Sequence, residues 1–237
     1  MGFTFKQFVI EDKACAMKVG TDSIMLGSWI KPKSAKHILD IGTGSGLLAI
    51  MLAQKIRSKS KITGLDIDNN AILQAKENAE NCPWGKQISF FNTSLQQFQS
   101  DTKYDLICSN PPYFEINSTA NNKHSTQNRQ NARQTIALDH ATLLKEVCHH
   151  LTEQGKFYCV IPFDVSNAFI QGAASLGLTC SRQLQVQPNQ QKNVTRVLLE
   201  FSQVSSTKKI EKLCIYDHSN KYSPEYIALC KDYYVNF

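Results

Sequence analysis

The chain predicts an α/β fold: a mostly parallel sheet with helices on both faces and an antiparallel hairpin at its edge. Three observations carry that expectation. From His37 onward, short apolar runs alternate with helical stretches, the rhythm of strands joined by crossover helices. The first of these runs leads into Asp40-Ile41-Gly42-Thr43-Gly44-Ser45-Gly46, a glycine-rich turn ahead of a helix. Near the end, residues 179–186 and 194–202 are two strand-like runs joined around 188–192, too short a link for a crossover, so they pair antiparallel.

The elements follow in order. Residues 3–10 alternate apolar and polar and predict a strand, with 14–19 pairing back on it. Thr21 or Asp22 caps a helix through SIMLGSWI, with Pro32 soon after its end. Strands are then expected at 37–40, 62–66, 88–92 and 104–109, with helices at 47–57 and 70–81. Residues 116–134 break the rhythm; they are almost wholly polar and predict a long exposed loop, disordered until it binds. A helix at 138–151, a buried strand at 155–161 and a helix at 164–176 precede the hairpin. The tail adds a strand at 213–216 and a helix capped by Ser223 with Pro224 at its first position. The expected organisation is one domain over 1–237: an N-terminal extension (1–34), a core (35–204) and a C-terminal strand and helix (205–237).

With 237 residues and 42% hydrophobic residues the chain can bury a sizeable core. It has no apolar run of membrane-spanning length and no signal-peptide pattern at its start, so a soluble, cytoplasmic protein is expected. Eight cysteines contain no CxxC pair, which argues against a structural zinc and for buried thiols in a reducing compartment; no metal is expected. The net charge of +6 is compatible with a polyanionic partner without requiring one.

Glycines in a strand-to-helix turn let the backbone approach a ligand closely, and the helix start presents unpaired N–H groups. Asp66 ends the next strand, twenty residues past Gly46, where a carboxylate can accept from both ribose hydroxyls of an adenosine. The spacing is G-x-G-x-G, not the G-x-G-x-x-G of a dinucleotide site. The pattern therefore points to a nucleoside cofactor.

The strand at 104–109 ends in Asn110-Pro111-Pro112-Tyr113. An exocyclic amino nitrogen is a poor nucleophile because its lone pair is delocalised into the ring. Two acceptors, Asn110 Oδ1 and the Pro111 carbonyl, can bind its two N–H groups, stabilising the charge that develops on nitrogen. Pro112 stiffens the turn, and Tyr113 offers a flat face for stacking.

DIGTGSG resembles motif I of the class I S-adenosylmethionine methyltransferases, which have a Rossmann-like sheet, and LDID at 65–68 resembles their second motif. NPPY resembles the [DNS]PP[YFW] motif of amino-group methyltransferases, which act on adenine N6, guanine N2 or glutamine N5. FKQF…CAMKVGTDSIMLGSW, RVLLEF at 196–201 and the ending YSPEYIALCKDYYVNF resemble the bacterial tRNA1(Val) (adenine(37)-N6)-methyltransferase family. The resemblance implies an S-adenosylmethionine cofactor. Gly42 and Gly44 would flank its methionine end with Asp40 beneath, Asp66 would hold the ribose, and Lys18, Thr21 and Asp22 would close one wall. Thr43, Ile67 and Asn110 complete that set, and Ser94 stands where many relatives carry a carboxylate for the adenine.

The implied partner is tRNA, at its anticodon stem-loop; no membrane and no obligate protein partner are implied. Lys123, Arg129 and Arg133 in the polar loop, with Lys192 and Arg196 near the hairpin, are the candidate RNA contacts, since basic groups on loops at a site's mouth suit phosphates. The alternatives are methylation of a protein glutamine or a ribosomal guanine, or a non-catalytic binder of S-adenosylmethionine or RNA.

Overall fold

The computed structural model describes residues 2–32, 34–56, 59–111 and 140–237. Eight strands form one sheet: β3 (His37–Ile41), β4 (Lys61–Asp66), β5 (Ile88–Asn92), β6 (Tyr104–Ser109), β7 (Leu151–Pro162), β8 (Thr179–Asn189), β9 (Arg196–Ser202) and β10 (Lys209–Tyr216). Their order is β10-β8-β9-β7-β6-β3-β4-β5. All neighbours are parallel except β9, which runs antiparallel to both β7 and β8. The expected hairpin is therefore present as β8–β9. The tail strand β10 lies outside it, so the hairpin is one strand in from the edge.

The central strands are buried on both faces, and their residues alternate between two cores. Ile38, Leu106, Tyr158 and Leu198 pack into one, against α1 (Thr21–Trp29), α2 (Leu47–Ala53), α3 (Asn69–Glu80) and α6 (Pro224–Cys230). Leu39, Ile107, Phe157 and Leu199 pack into the other, against α4 (His140–His150) and α5 (Phe163–Ser175). This is why these strands read as nearly continuous apolar runs.

The N-terminal extension departs from its expected form. Residues 3–10 are not one strand; β1 (Phe3–Thr4) and β2 (Val9–Ile10) fold back on each other as a small antiparallel hairpin. Phe5 and Phe8 stack at 4.6 Å inside the bend, and Phe8 packs edge-on against Trp84 and Tyr233. Burying those rings, at about 1.5–3 kcal/mol each, outweighs an extended strand with every second ring in water. Residues 14–19 form no strand, because their polar groups turn inward on the segment itself. Lys18 Nζ donates to the carbonyls of Asp12, Lys13 and Cys15, and Asp12 accepts from Val19 N–H. Gly20, not Thr21 or Asp22, caps α1. Helix α2 closes at Ala53, short of the expected end at 57, and β7 starts four residues early, directly after α4. No helix among the described residues is long and apolar enough to cross a membrane.

Gly46 combines a left-handed backbone, φ +80°, with close neighbours, a would-be Cβ lying 3.0 Å from Phe90 Cζ and 3.2 Å from Ala75 Cβ. Gly46→Ala should destabilise by about 2–4 kcal/mol, from the left-handed backbone and overpacking together. Gly172 sits inside α5 with its nearest neighbour at 3.5 Å, so Gly172→Ala should stabilise by about 0.5–1 kcal/mol. Urea midpoints moving in the same direction for both variants would contradict this packing.

Candidate active site

The parallel register brings the carboxyl ends of four strands level: Ile41 pairs with Leu65 and with Ser109, and Asp66 with Asn92. Ligands bind at this end of such sheets. The turn between β3 and α2 has Gly42, Gly44 and Gly46 at φ +68°, +54° and +80°. At Gly42 and Gly44 a Cβ would meet nothing within 4 Å, so both face open space. A side chain at either would occupy the volume a ligand needs.

Contacts from separate elements fix the turn. Asp40, fully buried, accepts from Thr43 Oγ1 at 2.6 Å and from Cys108 Sγ at 3.6 Å. Asp66 accepts from Gly44 N–H at 2.8 Å and from Asp68 N–H at 3.0 Å, one on each oxygen. A carboxylate has about four lone-pair sites, so each Asp66 oxygen keeps one for a ribose hydroxyl. Asn78 uses its whole amide: Nδ2 donates to the carbonyls of Glu11 and Ser45, and Oδ1 accepts from Glu11 N–H. It ties the N-terminal extension to the turn.

A pocket at the turn is bordered by Gly42, Thr43, Gly44, Ser45, Leu47 and Leu48, by Met17, Lys18, Val19 and Ser23, and by Asn110. Lys18 borders the pocket while its ammonium donates to the carbonyls of Asp12, Lys13 and Cys15. Thr21 opens α1, and Asp22 accepts from Arg196 Nε at 3.0 Å. Arg196, expected to meet RNA, also donates to the Thr195 carbonyl, so its guanidinium is engaged within the protein. Lys192 lies exposed in the β8–β9 connection. Ile67 is 57% exposed just past β4, an apolar surface beside Asp66. Ser94 begins a turn, its carbonyl accepting from the N–H groups of Gln97 and Phe98.

Asn110 and Pro111 are buried at the end of β6, and Asn110 Nδ2 donates to Ser23 Oγ at 2.9 Å. Pro112, Tyr113, Lys123, Arg129 and Arg133 lie outside the described residues, as does the 116–134 loop. Met17, Val19, Ser23, Ser45, Leu47 and Leu48 were not among the sequence candidates. Ser45 lies within the glycine motif and Leu47 and Leu48 adjoin it, so these three are legible with it. Ser23 carries no local signal, because its partner is 87 residues away.

Strand order, glycine turn, Asp66 and the NPPY sequence that follows β6 are those of a class I methyltransferase. The family model of the methyltransferase small domain matches residues 14–167. A predicted O-methyltransferase from Agrobacterium tumefaciens shares the fold with a TM-score of 0.67 at 14% identity, over 90% of this chain and 96% of that one. The N-methyltransferase NodS from Bradyrhizobium japonicum, solved with S-adenosyl-L-homocysteine, superposes with a TM-score of 0.53 at 16% identity, over 75% of this chain and 82% of that one. The tRNA1(Val) (adenine(37)-N6)-methyltransferase of Pseudoalteromonas atlantica is 47% identical over all of this chain and 98% of its own length. The chain belongs to the tRNA1(Val) (adenine(37)-N6)-methyltransferase family.

Burial pushes the Asp40 carboxyl up to about 6, against the opposing pull of its Thr43 and Cys108 hydrogen bonds. An unfolded aspartate loses its proton near 4, whereas folded Asp40 keeps it until about 6. Its contribution to stability is therefore complete at low pH and is lost as pH rises through about 6. Asp40→Asn should remove that downward component between about pH 4 and 6 in urea titrations; an unchanged pH slope would mean Asp40 titrates normally.

Proposed function

We propose that the protein transfers a methyl group from S-adenosylmethionine to N6 of adenine 37 in tRNA1(Val). The observation that carries this reading is that Asn110 and the glycine turn border one pocket, as an amino-group acceptor beside a nucleoside cofactor would require. Family membership supplies the choice of tRNA and nucleotide.

The residues fit the cofactor. Gly42 and Gly44 leave room at the methionine end, Asp66 has lone pairs for two ribose hydroxyls, and exposed Ile67 offers the adenine ring an apolar face. Ser94 would take the place of the carboxylate that many such enzymes offer the adenine. When bound, S-adenosylmethionine supplies a methyl group activated by a positive sulfur. The chain then has to bind the planar amine, strip its water and hold it in line. Asn110 Oδ1 and the Pro111 carbonyl accept its two N–H groups, and these bonds strengthen as positive charge builds on nitrogen.

A stacked base cannot reach this corner, so the adenine is flipped out and laid on Tyr113. Anticodon-loop bases are unpaired, which limits the cost to a few kcal/mol. Lys123, Arg129, Arg133 and Lys192 would hold phosphates. Arg196 would act chiefly by steadying Asp22, because that pair is formed within the protein itself.

Incubation with labelled cofactor and bulk tRNA should give N6-methyladenosine at position 37 by nucleoside mass spectrometry; label only in ribosomal RNA or in a protein glutamine would overturn the reading. Asp66→Ala should weaken S-adenosylhomocysteine binding by about 2–4 kcal/mol, the loss of two charge-assisted hydrogen bonds, and unchanged calorimetric affinity would remove Asp66 from the site. Asn110→Ala should lower kcat on the order of 10²-fold or more with cofactor affinity nearly intact; near-normal kcat on saturating tRNA would sink the mechanism.

A further inference from the structure

The Asn110 amide is held by a residue outside its own motif. Ser23, the third residue of α1, borders the same pocket and takes a hydrogen bond from Asn110 Nδ2 at 2.9 Å. The hydroxyl is rigidly mounted. Ile24, Met25, Leu26 and Trp29 bury α1 in the core, and Asp22 anchors its first turn to Arg196 at the start of β9. At its far end, Lys55 Nζ donates to the carbonyls of Gly27, Ser28 and Ile30.

An asparagine amide has two ends of nearly equal size, exchanged by a half-turn about a soft terminal torsion. Only one orientation suits an amino substrate. With Oδ1 toward the target the side chain accepts; with the NH₂ toward it, donor faces donor. A fixed partner on the nitrogen end selects the productive orientation before the substrate arrives.

We infer that Ser23 is a positioning residue for methyl transfer, holding Asn110 Nδ2 so that Oδ1 is presented to the target amine. The inference rests on the reading of Asn110 as the amine acceptor. It places part of the catalytic geometry in the N-terminal extension, on a serine that adjoins the Thr21-Asp22 pair without belonging to either motif.

Steady-state kinetics on saturating tRNA test it. Ser23→Ala should lower kcat about tenfold, a loss typical of a misaligned reacting group, with S-adenosylhomocysteine affinity and thermal midpoint nearly unchanged. Ser23→Thr keeps the hydroxyl and should retain most of kcat. In an Asn110→Asp background the two carboxylate oxygens are equivalent, so there is no wrong end, and adding Ser23→Ala should cost less than about twofold. Three results would each overturn the inference: unchanged kcat in Ser23→Ala, an equal loss in Ser23→Thr, or the same loss from Ser23→Ala whether or not Asn110→Asp is present. If the wild-type protein methylates no tRNA adenine, the underlying reading fails; if it does and Ser23→Ala matches it, only the role of Ser23 fails.

Discussion

Between Asp40 and Leu47 the chain makes a turn with three glycines at positive φ, and most of the site is defined by contact with it. Left to itself such a turn is entropically unfavourable, since glycine loses more backbone freedom than any other residue. Four contacts hold it, each from a different element. Asp40 in β3 takes Thr43, Asp66 in β4 takes the Gly44 N–H, Asn78 in α3 takes the Ser45 carbonyl, and Phe90 in β5 closes on Gly46. The strand order places these donors and acceptors together, because β3 is central and β4 and β5 follow it outward on one side.

That arrangement links stability to chemistry through Asp40. Its carboxyl is wholly buried, and burial disfavours the ionised form. Its bond to Thr43, which borders the pocket, ties the cost to the floor of the site. A cationic ligand above that floor would favour the ionised carboxylate that the apoprotein disfavours. A similar double use appears at Asp66, whose oxygens brace the turn and still keep lone pairs for a ligand.

The parts legible in the sequence are those whose partners are near in the chain or repeat with a period. The β3–α2 turn, Asp66 and the NPPY corner are short words, and the parallel strands betray themselves as apolar runs because both faces are buried. What was not legible depends on tertiary neighbours. The bend between β1 and β2 is set by Phe8 finding Trp84 and Tyr233, the latter near the far end of the chain. Strand β10 gives no local sign that it pairs parallel with β8 rather than extending from β9. Gly20 displaces Thr21 as the helix cap because the 12–19 segment is drawn inward by Lys18 and Asp12, leaving Gly20 extended. Arg196's ion pair with Asp22, 174 residues earlier, is likewise invisible locally.

The central claim is that Asn110 and Pro111 present two acceptors and so require a donor amine on the base. Guanine offers a carbonyl oxygen where adenine offers N6, and acceptor would then face acceptor. The most direct measurement compares methyl incorporation into two tRNA1(Val) transcripts, identical except that one carries guanine for adenine at position 37. The account predicts N6-methyladenosine from the first and no label from the second. Equal incorporation into both would contradict it.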